Sequence, residues 1–145
     1  MPSDPWFELR EQHAFTGSTS WRLKDGHIRF RGRNGANEAL PSTQPISAPN
    51  EHVESFIAAL DFLDVWNWRP DYRPDECGYV VMDGKSWTFT GSIGGREINA
   101  GGGNAYPAFT DASKSALEPE RYAFLVFAFY RSFGIPIPDD VIRNR

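Results

Sequence analysis

The sequence predicts an α+β domain, a six-stranded, mostly antiparallel sheet with two helices on one face. Three observations predict it. Asp-Gly or Gly-Gly pairs at 25–26, 83–84 and 94–95 each supply two residues that tolerate positive φ, as a two-residue hairpin turn demands. The segments flanking these turns alternate apolar and polar residues, the pattern of a sheet packed on one side and wet on the other. Two further segments, around 53–63 and 119–133, change to helical spacing. The order strand, strand, strand, helix is performed twice. The chain is therefore read as one domain, residues 1–145, built as two βββα halves at approximately 5–68 and 77–134.

In the first half, "WFELREQ" is the opening strand and "SWRLKDGHIRFRGRNG" a hairpin. Counting outward from Asp25-Gly26 places Lys24 opposite His27, Leu23 opposite Ile28, Arg22 opposite Arg29 and Trp21 opposite Phe30. Trp21, Leu23, Ile28 and Phe30 then form the buried face. The helix that follows carries Val53, Phe56, Ile57, Leu60 and Leu63 on one stripe, with Asn50 or Ser47 as its cap and Pro49 near the first turn.

In the second half, "CGYVVMDG" reads as a strand and "SWTFTGSIGGREINAGGG" as a hairpin around Gly94-Gly95. Ile93 faces Arg96, Gly91 faces Ile98 and Phe89 faces Ala100. Trp87, Phe89, Ile93 and Ile98 point inward, and Thr88, Thr90, Ser92, Glu97 and Asn99 outward. Glu118-Pro119 opens the second helix, which has no charge between Arg121 and Arg131. A helix apolar nearly all round is either the central core helix or half of a homodimer interface through residues 119–133.

Bulk composition bounds the function. A chain of 145 residues with 40% hydrophobic and 23% charged residues can bury a sizeable core. An aromatic content of 14% must go mostly to core or interface. The net charge of −4 argues against a general nucleic-acid binder. A single cysteine, Cys77, excludes an internal disulfide framework and a Cys-rich zinc site. The N-terminus shows no signal-peptide pattern, and the longest uncharged apolar run, 122–130, is far short of the ~20 residues that span a bilayer. The expectation is a cytoplasmic protein with no membrane partner and no cofactor.

Signals for catalysis are weak. "GREINAGGGNAYPAF" lacks the Lys and Ser or Thr of a phosphate-binding P-loop, and it ends an antiparallel hairpin rather than opening a βαβ unit. Its glycines fit a strand that stops or passes close under another segment. His13, His27 and His52 are scattered with no metal spacing. Cys77 follows two carboxylates, which would raise a thiol pKa rather than lower it. Asp61 and Asp64 sit near a helix stripe, and Asp71, Asp75 and Glu76 are interleaved with Arg69 and Arg73, the pattern of a solvated ion-pair loop.

The most specific feature is the hairpin's wet face. Arg22, Lys24, His27, Arg29 and Arg31 stand together there, with Arg33 continuing the row, in a protein that is acidic overall. Like charges directly opposed on a sheet are destabilising. A patch of one sign can instead serve an anionic partner, unless Glu8 and other acids neutralise it. A second feature is "VWNWRPDYRP". Trp66, Trp68, Arg69, Tyr72 and Arg73 have the composition of a protein-interface hot spot, and equally of a cover over the end of the core. The sequence thus favours a non-catalytic binding domain that meets an acidic protein or an anionic small molecule through the basic face. The alternative is a small-molecule binder or weak hydrolase with a pocket near Gly101–Tyr106.

Overall fold

A computed structural model describes residues 4–13, 17–34, 44–78 and 84–137. The strands are β1 (Trp6–His13), β2 (Gly17–Lys24), β3 (His27–Asn34), β4 (Ile46–Ser47), β5 (Lys85–Ile93) and β6 (Arg96–Gly103), with a small ribbon of β7 (Tyr106–Pro107) and β8 (Ser115–Ala116). The helices are α1 (Asn50–Leu63) and α2 (Glu120–Ser132). The fold is α+β, and its main sheet has six antiparallel strands in the order β4-β3-β2-β1-β5-β6. The first strand of the chain is thus central and lies between the two hairpins, pairing with β2 on one side and β5 on the other.

Both hairpin registers follow from their turns. Lys24 pairs with His27, Leu23 with Ile28, Arg22 with Arg29 and Trp21 with Phe30. In the other hairpin Ile93 pairs with Arg96, Gly91 with Ile98 and Phe89 with Ala100. Asp25 and Gly26 both have positive φ, as do Gly94 and Gly95, which meets the type I′ requirement.

The sixth strand is not the one expected. It is β4, two residues in the proline-containing connection, where Ile46 pairs with Ile28. Of the expected strand "CGYVVMDG", residues 79–83 lie outside the described residues. Cys77 ends a 3₁₀ turn that starts at Pro74, and Gly78 is left-handed at φ 82°. The two-half βββα repeat is therefore not established.

One apolar layer joins sheet to helices. Phe7 sits at its centre, fully buried, with ring centroids 5.2 Å from Phe56 of α1 and 5.8 Å from Phe129 of α2. Leu9, Leu23, Ile28, Phe89, Ile93 and Ile98 line the same side of the sheet, and Val53, Leu60, Leu125 and Val126 answer from the helices. Burying each such side chain contributes about 1.5–3 kcal/mol. Helix α1 starts after Pro49, with no side-chain cap from Ser47 or Asn50. Most of α2 faces this core. Phe124 stays half exposed and rests on Phe62 of α1, 5.8 Å between centroids. Among the described residues no helix is long and apolar enough to cross a membrane.

Candidate functional site

The outer face of the sheet, opposite the helices, is built by period-two alternation. Because Phe7 and Leu9 point into the core, Trp6, Glu8 and Arg10 of β1 point outward. Register then sets the neighbours. One cross-strand row reads Arg29, Arg22, Glu8, Thr90, and the next reads Arg31, Ser20, Arg10, Thr88. A third reads Arg33, Ser18, Gln12, Ser86. Directly opposed side chains on such rows are about 4.5–5.5 Å apart at Cβ. Six of the chain's fifteen Lys and Arg residues, namely Arg10, Arg22, Lys24, Arg29, Arg31 and Arg33, share this face with Glu8, with Asp25 at the turn and Glu97 of β6 on the same side of the sheet.

Glu8 does part of the neutralising work expected of it. Its Oε2 accepts a hydrogen bond from Arg22 Nη2 at 2.9 Å. Among the described residues no carboxylate pairs with Arg10, Lys24, Arg29 or Arg31. His27 donates through Nδ1 to the Asp25 carbonyl at 3.0 Å, so its ring is held at the turn with Nε2 turned away from that bond. The long side chains of these rows rise around a hollow on the face. The resulting hollow, about 630 Å³, is lined by all these cations, by the half-buried hydroxyls of Ser18 and Ser20, and by Glu8 and Asp25 at one end.

The structure brings Arg22, Lys24, His27, Arg29 and Arg31 together on one exposed face. The turn count missed Arg10 and Trp6, which come from β1. The signal was present, because alternation through Phe7 and Leu9 sends both outward; only the β1–β2 pairing says that they join the hairpin's face.

The second candidate group is organised differently. Trp68 and Tyr72 are buried, and Trp68 donates its indole N–H to the Leu63 carbonyl at 2.9 Å. The Tyr72 hydroxyl accepts the Arg69 backbone N–H at 3.0 Å and donates to the Ala112 carbonyl. Burial raises the Tyr72 pKa. Arg69 makes a two-pronged pair with Glu76, at 2.7 and 2.8 Å, which raises its own pKa and holds the Glu76 carboxyl below the usual range. Arg73 pairs with Asp71 at 2.8 Å. Trp66 donates to Asp61 at 2.9 Å, and Arg96, 3.9 Å above the Trp66 ring, donates to the same carboxylate; these two donors lower the Asp61 pKa. These side chains cover the end of the core and satisfy one another.

The glycine run belongs to that cover. The segment from Arg69 to Arg73 lies beside β6, with a parallel bridge between Tyr72 and Gly102. Gly101 N–H donates to the Arg69 carbonyl at 3.1 Å, Tyr72 N–H to Gly101 at 3.0 Å and Gly103 N–H to Tyr72 at 3.1 Å. Asn104 N–H goes to the Lys85 carbonyl at 2.8 Å. Amides committed in this way cannot cradle an anion. A Cβ at Gly101 would stand 3.0 Å from the Trp87 carbonyl, and one at Gly102 would run into the Ala105 carbonyl. Glycine is required here by close approach of backbone.

The remaining polar candidates stay apart. The Cys77 thiol contacts the Ser115 carbonyl at 3.3 Å, and His13 lies 3.6 Å from Glu11. His52 has a buried Nδ1 without a hydrogen-bond partner among the described residues, and its ring lies against Phe133. No protein-family model matches this chain, and no curated protein is significantly similar to it.

Proposed function

We propose that the chain is a cytoplasmic, non-catalytic binding domain that meets an acidic partner through the outer face of β1, β2 and β3. The observation that supports this reading is the set of cations, Arg10, Lys24, Arg29 and Arg31, that no carboxylate among the described residues pairs with, around one hollow in a protein of net charge −4. Arg22 and Arg29 are directly opposed, an arrangement that costs stability unless an anion lies between them. A low-dielectric wall of sheet behind the cations focuses their field outward and steers anions to the hollow.

The other reading, a small-molecule pocket beside Gly101–Tyr106, is not adopted because Arg69 to Tyr72 occupy that side of Gly101 and Gly102. The test is retention on immobilised poly-L-glutamate and on inorganic polyphosphate at rising salt. Wild type is expected to bind at least one and to elute steeply with salt. Arg29→Glu/Arg31→Glu should lose retention, while Arg73→Glu, which alters a cation already paired elsewhere, should keep it. Equal retention of the two variants would sink the proposal, as would no retention of wild type at low salt.

A further inference from the structure

The outer face is richer than a charged patch. Where the row of cations reaches the start of β1, Trp6 is 43% exposed and has no aromatic partner among the described residues. It pairs across to Ser92 of β5, and one step beyond the Phe7–Leu23 pair brings it beside Lys24 of β2. Trp6 walls a second hollow of about 420 Å³, together with Asp4, Pro5, Leu23, Lys24 and Thr90. Arg22, Lys24, Glu8 and Asp25 border both hollows, so the two are adjacent.

The chemistry of the two spaces differs. The larger is lined by guanidinium and hydroxyl donors, which suit the oxygens of phosphate; Arg in particular grips phosphate with two parallel bonds. Arg29, Arg31 and Arg33 repeat every second residue, about 6.6–6.8 Å apart along one strand. A chain of phosphates can use such a ladder, whereas a lone phosphate meets only one rung. The smaller space offers an unstacked indole with its apolar flank. A folded acidic protein fits this face poorly, because its centre holds no apolar or aromatic anchor of the kind that carries protein interfaces.

Resting on the acidic-partner reading, we infer that the partner is a nucleotide. Its phosphates lie along Arg22, Arg29 and Arg31, and its base stacks on Trp6. Such chemistry comes from a free nucleoside polyphosphate or from single-stranded nucleic acid, and both read the site in the same way. The acidity of the chain as a whole, which argues against a nucleic-acid binder, is carried mostly by other surfaces, since the two hollows set six Lys and Arg against three carboxylates, Asp4, Glu8 and Asp25.

The experiment is calorimetric titration at low salt, without divalent metal, of inorganic triphosphate, ATP, a ten-residue oligo(dT), the matching duplex and poly-L-glutamate. ATP or the single strand should bind about tenfold or more tighter than triphosphate, the scale of one base stacked on an aromatic ring. Trp6→Ala should erase that difference and leave triphosphate binding in place, Trp6→Phe should retain most of it, and Arg29→Glu/Arg31→Glu should abolish binding of every phosphate probe. Tighter binding of the single strand than of ATP supports the inference with a polymer as source, and the reverse supports it with a free nucleotide. Equal affinities for ATP, oligo(dT) and triphosphate overturn the base seat, as does a base preference unaffected by Trp6→Ala. A preference for duplex, or binding of poly-L-glutamate alone, overturns it as well, and in these four cases the acidic-partner reading survives. No binding of any probe overturns both. The exposure of Trp6 lets its variants fold, and near-ultraviolet circular dichroism checks that they do.

Discussion

The outer face of β1–β3 and the cover of the core around Arg69–Arg73 are both made of arginines and aromatic rings, yet they end in opposite states. In the cover, Arg69 and Arg73 find Glu76 and Asp71, Trp68 and Tyr72 are buried, and the backbone of Gly101 and Gly103 is bonded to the segment above it. On the outer face Arg29 and Arg31 have no carboxylate among the described residues, and Trp6 has no ring against it. Composition alone does not separate the two. What separates them is whether the fold supplies partners. A region whose polar groups are satisfied internally contributes to stability, and one whose charges are left over is available to a ligand.

That contrast predicts where stability and binding will each respond. The largest effect belongs to the cover. Trp87 is buried among Trp68, Tyr72, Tyr106 and Tyr122, and its indole donates to Ala105 at 3.0 Å. Trp87→Ala should cost about 3–5 kcal/mol in urea unfolding. A loss below about 1 kcal/mol would mean that the cover is not packed as described.

Next comes a pair of glycines. Gly102→Ala drives a methyl group into the Ala105 carbonyl and should cost about 1–3 kcal/mol. Gly103→Ala meets nothing within 4 Å and should stay within about 0.5 kcal/mol of wild type. Equal costs at the two positions would show that close approach is not what selects glycine there.

The outer face should behave in the opposite sense. Arg29→Glu removes the like-charge opposition to Arg22 and should stabilise the protein by about 0.2–1 kcal/mol at low salt, a gain that fades as salt screens it. The same change should weaken anion binding. If the variant instead unfolds more easily at low salt, Arg29 is serving the fold and the comparison between the two regions breaks.

The smallest effect concerns acid. Glu76 and Asp61 are held below ordinary carboxylate values by hydrogen bonds from Arg69 and from Trp66, respectively. Their folded pKa values are depressed, so their contribution is fully present above the unfolded values, roughly pH 4, and is lost as pH falls through the folded ones. Urea midpoints measured from pH 6 downward should therefore decline less steeply in Asp61→Asn/Glu76→Gln than in wild type. An unchanged slope would assign the acid sensitivity to other groups.

Much of the fold is legible because its rules are local. Asp25-Gly26 and Gly94-Gly95 accept the positive φ of a tight turn, and counting from them yields both hairpin registers. The period-two pattern then names Phe89, Ile93 and Ile98 as inward. The cation row of Arg22, Arg29 and Arg31 follows from the same count. The sixth strand was not legible, since Ile46-Ser47 is too short to show a period and is a strand only because Ile28 lies beside it. The ambiguous loop at 66–73 was undecided for a similar reason. Its residues suit an interface or a cover equally well until β6 is placed next to them.

The sequence by itself determined the turns, the pairing within each hairpin and which side of each strand is apolar, because φ preferences and side-chain alternation act over neighbouring residues. Only the tertiary structure decided that β1 lies between the hairpins, and that Arg10 and Trp6 therefore join the cations of β2 and β3. Pairing between strands far apart in the chain depends on how whole apolar faces pack together, and no local run of residues encodes which strand will be the neighbour.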